Sequence, residues 1–273
     1  MSEWLKDDVT VDGITLHYYR TGGDKPPVLL AHGLTDNGLC WTPVVQALAQ
    51  DYDCILVDAR GHGHSAIPDV GYSNAEHAAD YAGLIRALNL QQPVMIGHSM
   101  GADTSALLAA QYPKLVRAIV LEDPPWRPQS EVTTPEQRYA LAEAWRARAV
   151  AQSALPLAEL IEQGQQERPT WSAAELKAWA TAKQQVSPNA LNYVSESSTP
   201  WWAFVAKITC PTLLITADVA LGAIVSAETA QTVSALATHL QVAHVAGAGH
   251  SIRREQFEPY VRVVRAFLAE VIR

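Results

Sequence analysis

Short apolar runs recur along the chain at Val28–Ala31, Cys54–Val57, Val94–Ile96, Ala118–Leu121, Thr212–Ile215 and Leu240–Val245. They are continuous rather than alternating, the pattern of strands buried on both faces. Upstream, Val9–Tyr19 alternates about Asp12-Gly13, a pair that readily takes the positive φ angles of a tight turn, and this predicts an antiparallel hairpin. Between the runs lie segments of helical spacing: Asn74–Asn89, Met100–Tyr112, Ala227–Ala237 and Arg254–Ile272. Ser73 and Glu76 frame the first of these as a capping box. Strand and helix alternate, so the expectation is an α/β chain with a mostly parallel sheet covered by helices on both sides.

The alternation fails between Pro124 and about Lys207. This stretch has helical segments, a second capping box at Ser172 and Glu175, and no convincing strand. Trp126, Trp145, Trp171, Trp179, Trp201 and Trp202 all fall within it, six of the chain's eight tryptophans. It predicts a helical cap at 124–206, inserted after the sixth strand into a core formed by 1–123 and 207–273.

Composition narrows the function classes. The formal charge of −8 and the lack of clustered Lys and Arg argue against nucleic acid as a partner. Three dispersed cysteines without a CxxC pair give no support for a disulfide framework or a structural zinc. The opening Met-Ser-Glu-Trp-Leu-Lys-Asp-Asp lacks the apolar core of a leader, and no apolar run approaches the length of a membrane span. A cytoplasmic protein without a membrane partner is the expectation.

The chemistry-bearing motif is Gly97-His98-Ser99-Met100-Gly101, between a predicted strand and a predicted helix. A serine hydroxyl is a weak nucleophile and must be presented on a sharp turn where base and substrate can reach it. Small residues two places either side let that turn and its helix pack closely, and the Met100 amide then opens the helix facing a developing oxyanion. The serine needs a base, and His250 follows the last predicted strand on the loop Gly247–Ser251, at the same sheet edge as Ser99. His17, His77, His239 and His244 read as structural or solvated. His32-Gly33 ends a strand at that edge, and its loop can aim the Leu34 amide as a second oxyanion donor. The loop Asp58–Ser65 reads as structural, and His62 and His64 lack the companions of a metal site.

In their order along the chain, the His32-Gly33 loop, the Asp58–Ser65 loop, the Ser99 elbow and the terminal His250 resemble the α/β-hydrolase superfamily, over about residues 9–123 and 207–273. The resemblance implies the α/β-hydrolase fold and acyl transfer with no cofactor and no metal. It leaves the acid of the catalytic triad open. The family's usual acid site falls on Ala220, with Asp218 two residues early, whereas an alternative site after the preceding strand aligns with Asp123. Asp123 is the favoured acid, with Asp218 and then Glu122 as the alternatives; Asp103 reads as a local hydrogen-bonding group. Trp126, and more weakly Trp41, are the candidate substrate contacts. The expected activity is cleavage of carboxylic esters or lactones of small to medium hydrophobic compounds. The alternatives are a cofactor-free carbon–carbon bond hydrolase, a haloperoxidase or perhydrolase side activity, and a non-catalytic small-molecule receptor.

Overall fold

The computed structural model describes residues 4–131, 133–196 and 198–272. Met1–Glu3, at the head of the segment read against a leader, and Arg273, the end of the expected core, lie outside it, as do Val132 and Ser197 of the expected cap. The chain runs β1 (Leu5–Val11), β2 (Ile14–Arg20), β3 (Pro27–Ala31), α1 (Thr42–Leu48), β4 (Asp53–Val57), α2 (Asn74–Ala87), β5 (Val94–His98), α3 (Met100–Gln111) and β6 (Ala118–Glu122). Four helices follow, α4 (Pro135–Ser153), α5 (Leu157–Glu167), α6 (Ala173–Gln185) and the single turn α7 (Asn192–Ser195). The chain then returns to the sheet with β7 (Thr212–Thr216), α8 (Ala227–Leu236), β8 (Leu240–His244), α9 (Ile252–Glu255) and α10 (Phe257–Val271).

The eight strands form one sheet in the order β1-β2-β4-β3-β5-β6-β7-β8, antiparallel at β1–β2 and β2–β4 and parallel elsewhere. This is the α/β-hydrolase architecture expected from the sequence. The continuous apolar runs have a simple cause. Along β3 and β4, Leu29, Ala31, Ile55 and Val57 face the core under α2 and α3. The alternate residues Val28, Leu30, Cys54 and Leu56 face a second core under α1 and α10. From β3 the chain adds β4 on one side and β5 on the other, so the strand order reverses there. The crevice at the carboxyl ends of β3 and β5 is where open α/β sheets hold ligands.

Two expectations need correction. Leu240–Val245 is not buried on both faces: β8 is an edge strand paired only with β7, and Gln241, Val242 and His244 are exposed. The C-terminal helix is not continuous. Gln256 leaves helical geometry (φ −135°) between α9 and α10, where Pro259 supplies no amide and crowds the carbonyl four residues back.

The segment between β6 and β7 lies over the carboxyl edge of the sheet, fastened to two core loops. Asn37 Nδ2 donates to Gln185 Oε1 (2.8 Å), and Lys183 Nζ donates to the Thr35 carbonyl (2.9 Å). The Ser187 amide donates to the Gly61 carbonyl (2.8 Å), and the Tyr72 amide donates to Glu196 (2.7 Å). Among the described residues, no helix is long and apolar enough to cross a membrane, and no group of three or more His, Cys, Asp or Glu is placed to hold a metal ion.

Candidate active site

Ser99 stands between the end of β5 and the start of α3 with φ 51° and ψ −117°, a conformation that few residues with a Cβ adopt. The turn is anchored by the Ser99 amide, which donates to the Glu122 carbonyl of β6 (2.9 Å). The flanking glycines are sterically required. A Cβ on Gly97 would lie 2.3 Å from the Gly101 carbonyl oxygen, and one on Gly101 would lie 2.2 Å from that of Ala31. Met100 opens α3, so its amide is among those that a helix leaves without an internal acceptor.

His250 is half-buried on the loop after β8, and its Nδ1 lies 2.7 Å from Asp123 Oδ2. Asp123 is fully buried immediately after β6. It takes up a left-handed backbone (φ 40°), and its carboxylate meets the loop before α8, where the amides of Ile224 (2.9 Å) and Val225 (2.9 Å) also donate to it. The other two acid candidates are occupied elsewhere. Glu122 accepts from the amide (3.0 Å) and guanidinium (3.1 Å) of Arg253. Burial raises the Glu122 carboxyl above its usual range, against the opposing pull of Arg253. Asp218 accepts from the Gly247 amide (2.7 Å) and pairs with His244 Nε2 (3.0 Å), and the Gly247 bond holds its pKa below the ordinary value.

His98 clamps the histidine loop from within the elbow. Its Nε2 donates to the His250 carbonyl (2.9 Å), and the two rings are 4.7 Å apart. Burial drives its pKa well below 6.5, so it is a neutral brace. In the sequence, only its place beside Ser99 in the motif marks His98 for this role.

The loop after β3 passes directly over the elbow, and a Cβ on Gly33 would meet His98 Nδ1 at 2.8 Å and Ser99 Cβ at 3.3 Å. The amides after Leu34 are both engaged: Thr35 donates to His62 Nε2 (3.2 Å) and Asp36 to the Gly33 carbonyl (3.1 Å). His62 can accept there because its Nδ1 donates to the Arg60 carbonyl (2.9 Å), and burial lowers its pKa to about 3. His32 is likewise buried and neutral in character, donating to the Gly33 carbonyl (2.8 Å) and accepting from the Ala59 amide (3.0 Å). Asp58 accepts from the amides of Gly38 (2.7 Å) and His64 (2.9 Å), so the Asp58–Ser65 loop holds the Leu34 loop in place. Thr35 itself is β-branched with φ 67°, a backbone outlier within two residues of the elbow contact.

The tryptophans divide. Trp41, expected as a substrate contact, is wholly buried in the core with the Arg253 guanidinium 4.2 Å from its ring, and that place is a correction to the expectation. Trp126 is nearly buried: it stacks on Trp201 at 5.9 Å and donates to Asp103 (2.7 Å), yet its edge borders a cavity of about 470 Å³ under α7. Asp103 also accepts from Asn74 (2.9 Å) and Tyr193 (3.2 Å), so it ties α2, α3 and α7 together. A second cavity, of about 230 Å³, lies between α4, α6 and Thr35, lined by Arg148, Arg168, Lys183, Trp145 and Trp179. This cationic wall is not legible in the sequence, because Thr35 and Lys183 are 148 residues apart.

A family model described as alpha/beta hydrolase fold matches residues 26–253. Over 115 residues the chain is 42% identical to 2-(acetamidomethylene)succinate hydrolase of Mesorhizobium japonicum, a stretch that covers 42% of this chain and 41% of that protein. It thus matches about two-fifths of that relative's length. With N-formylmaleamate deformylase of Pseudomonas putida it is 28% identical over 270 residues, 96% of this chain and 95% of the other. A crystal structure of E-2-(acetamidomethylene)succinate hydrolase superposes with a TM-score of 0.82 at 27% identity, covering 98% of this chain and all of the other.

Proposed function

The chain belongs to the α/β-hydrolase fold family, and on that premise we propose that it is a serine hydrolase working through an acyl-enzyme, with Ser99 as nucleophile, His250 as base and Asp123 as the acid of the triad. The observation that carries the reading is the 2.7 Å contact of His250 Nδ1 with Asp123. An ionised carboxylate only accepts, so Nδ1 bears the ring proton and Nε2 keeps its lone pair for the Ser99 hydroxyl. Ser99 attacks the substrate carbonyl as Nε2 takes its proton, and the Leu34 and Met100 amides stabilise the oxyanion. Imidazolium then protonates the leaving group, and the neutral ring activates water to release the acid. The helices of 124–206 act as the cap, with Trp126 at the edge of the substrate space.

The substrates proposed are small to medium carboxylic esters or lactones. A second reading, hydrolysis of an acyl–nitrogen bond by the same groups, is favoured by the relative aligned along 96% of the chain, which is named a deformylase. The test is release of 4-nitrophenol from acetate, butyrate and octanoate esters, beside release of formate from N-formyl amides. Ser99→Ala is expected to lower kcat by about a millionfold on whichever class is turned over. A variant retaining more than a hundredth of the activity would overturn the assignment.

A further inference from the structure

We infer that the cavity between α4, α6 and Thr35 is a carboxylate-binding subsite, and that the substrate therefore carries a carboxylate on a short arm from its scissile carbonyl. The inference rests on the serine-hydrolase reading above and names the substrate class for that site.

Three cations, Arg148, Arg168 and Lys183, converge on one cavity of about 230 Å³. The Glu167 carboxylate bonds Arg168 (2.7 Å) and more distantly Arg148 (3.4 Å), while Lys183 faces Thr35 and Asp36. The nearby Asp36 is already paired with Arg254 (3.0 Å). Positive charge is therefore in excess at the wall. Two features set this apart from an ordinary solvated charged face. Lys183 is only 8% exposed, and burying an ammonium costs free energy unless anionic or polar partners compensate; the Thr35 carbonyl and hydroxyl take two of its three donors. Arg168 is held in place, its guanidinium 5.0 Å from the ring centres of both Trp171 and Trp179, and a fixed planar fork suits bidentate recognition of a carboxylate.

Position links the cavity to the chemistry. Thr35 lines it and directly follows Leu34, and the loop touches the elbow at Gly33. Consecutive Cα atoms are about 3.8 Å apart, so the Thr35 Cα lies within about 7.6 Å of that of Gly33. Ala149 and Val186 line the same cavity and belong to the apolar cluster against which Leu34 packs. A cavity of about 230 Å³ has room for a carboxylate and a short methylene arm.

The experiment compares 4-nitrophenyl hydrogen adipate with 4-nitrophenyl hexanoate, two esters of equal chain length that differ in the terminal carboxylate. The readout is the ratio of their kcat/KM values in the wild type and in Arg148→Gln, Arg168→Gln and Arg168→Lys. Losing one charged hydrogen-bonding partner corresponds to about ten- to a hundredfold. The wild type is expected to favour the adipate ester by at least about tenfold, and each Gln variant to lower the ratio about tenfold or more. Arg168→Lys should regain part of it, and Lys114→Gln, at the far end of the sheet, should leave the ratio unchanged. A wild-type ratio of one or less, or a ratio unmoved by both Gln variants, overturns the subsite. If neither ester reacts, the ester reading fails separately, and calorimetric titration with adipate still decides the subsite. Binding weakened in both Gln variants upholds it; no binding to the wild type, or binding unmoved by them, overturns it.

Discussion

Asp123 and Asp218 both sit just beyond a strand end near the His250 loop, and a residue-level prediction separates them. Asp123 has no solvent exposure and spends its carboxylate on two amides and the imidazole. Asp218 is partly exposed and pairs with His244 instead. Asp123→Asn places an amide opposite Nδ1 and favours the wrong tautomer of His250, so kcat should fall about 10⁴-fold with little change in KM. Asp218→Asn should stay within about twofold, since surface pairs contribute little. Steady-state kinetics on one ester checks both, and the reverse order of effects would transfer the acid role to Asp218. The sequence favours Asp123 only through the family resemblance and leaves Asp218 and Glu122 as alternatives. Glu122, Asp123 and Asp218 are all acidic and all near strand ends, and what separates them is a single backbone turn, the positive φ of Asp123. That turn aims its side chain at the loop before α8 while Glu122 points to Arg253.

At the level of elements, the loop after β4 holds the loop after β3. His62 accepts the Thr35 amide, and Asp58 accepts the Gly38 amide, so the backbone around Leu34 is fixed from two sides. His62 is a positioning residue and does not touch the reacting atoms. His62→Leu leaves the Thr35 amide without its acceptor and frees the loop to shift. Because a misplacement of about 1 Å can cost a hundredfold, kcat is expected to fall about ten- to a hundredfold, with KM changed far less. An effect confined to KM, or none, would show that the Leu34 loop keeps its shape unaided. Elements of this kind were partly legible beforehand. The apolar runs revealed the parallel strands because both faces of the sheet are covered, and Gly97 and Gly101 revealed the elbow because no Cβ fits there. The tryptophans were not legible in the same way. A large apolar ring looks the same in sequence whether it fills the core, as Trp41 does, or borders a cavity, as Trp145 and Trp179 do.

Across the whole molecule, the fold buries four histidines, of which His32, His62 and His98 brace the loops at the carboxyl edge. His32, His62, His77 and His98 are each buried, and burial is the main cause lowering each pKa below 6.5. When such a group unfolds below its unfolded pKa it gains a proton, so the unfolded chain binds more protons than the folded one. Stability from this source is therefore present above about 6.5 and is lost as pH falls towards the depressed folded values, about 3 in the case of His62. Asp103 and Glu122, raised by burial, hold protons more tightly in the fold and act in the opposite sense over part of that range. A single substitution isolates the histidine contribution, because those carboxylates are common to both proteins. His77 suits the purpose: it is 1% exposed, its ring lies 5.8 Å from that of Tyr193, and its Nε2 has no hydrogen-bond partner. His77→Leu removes one such proton. Between pH 6 and 5 the wild type should lose stability more steeply than the variant, by about 1.4 kcal/mol per pH unit. Urea unfolding at intervals across that range measures the two slopes directly, and parallel slopes would mean that His77 is protonated in the folded protein.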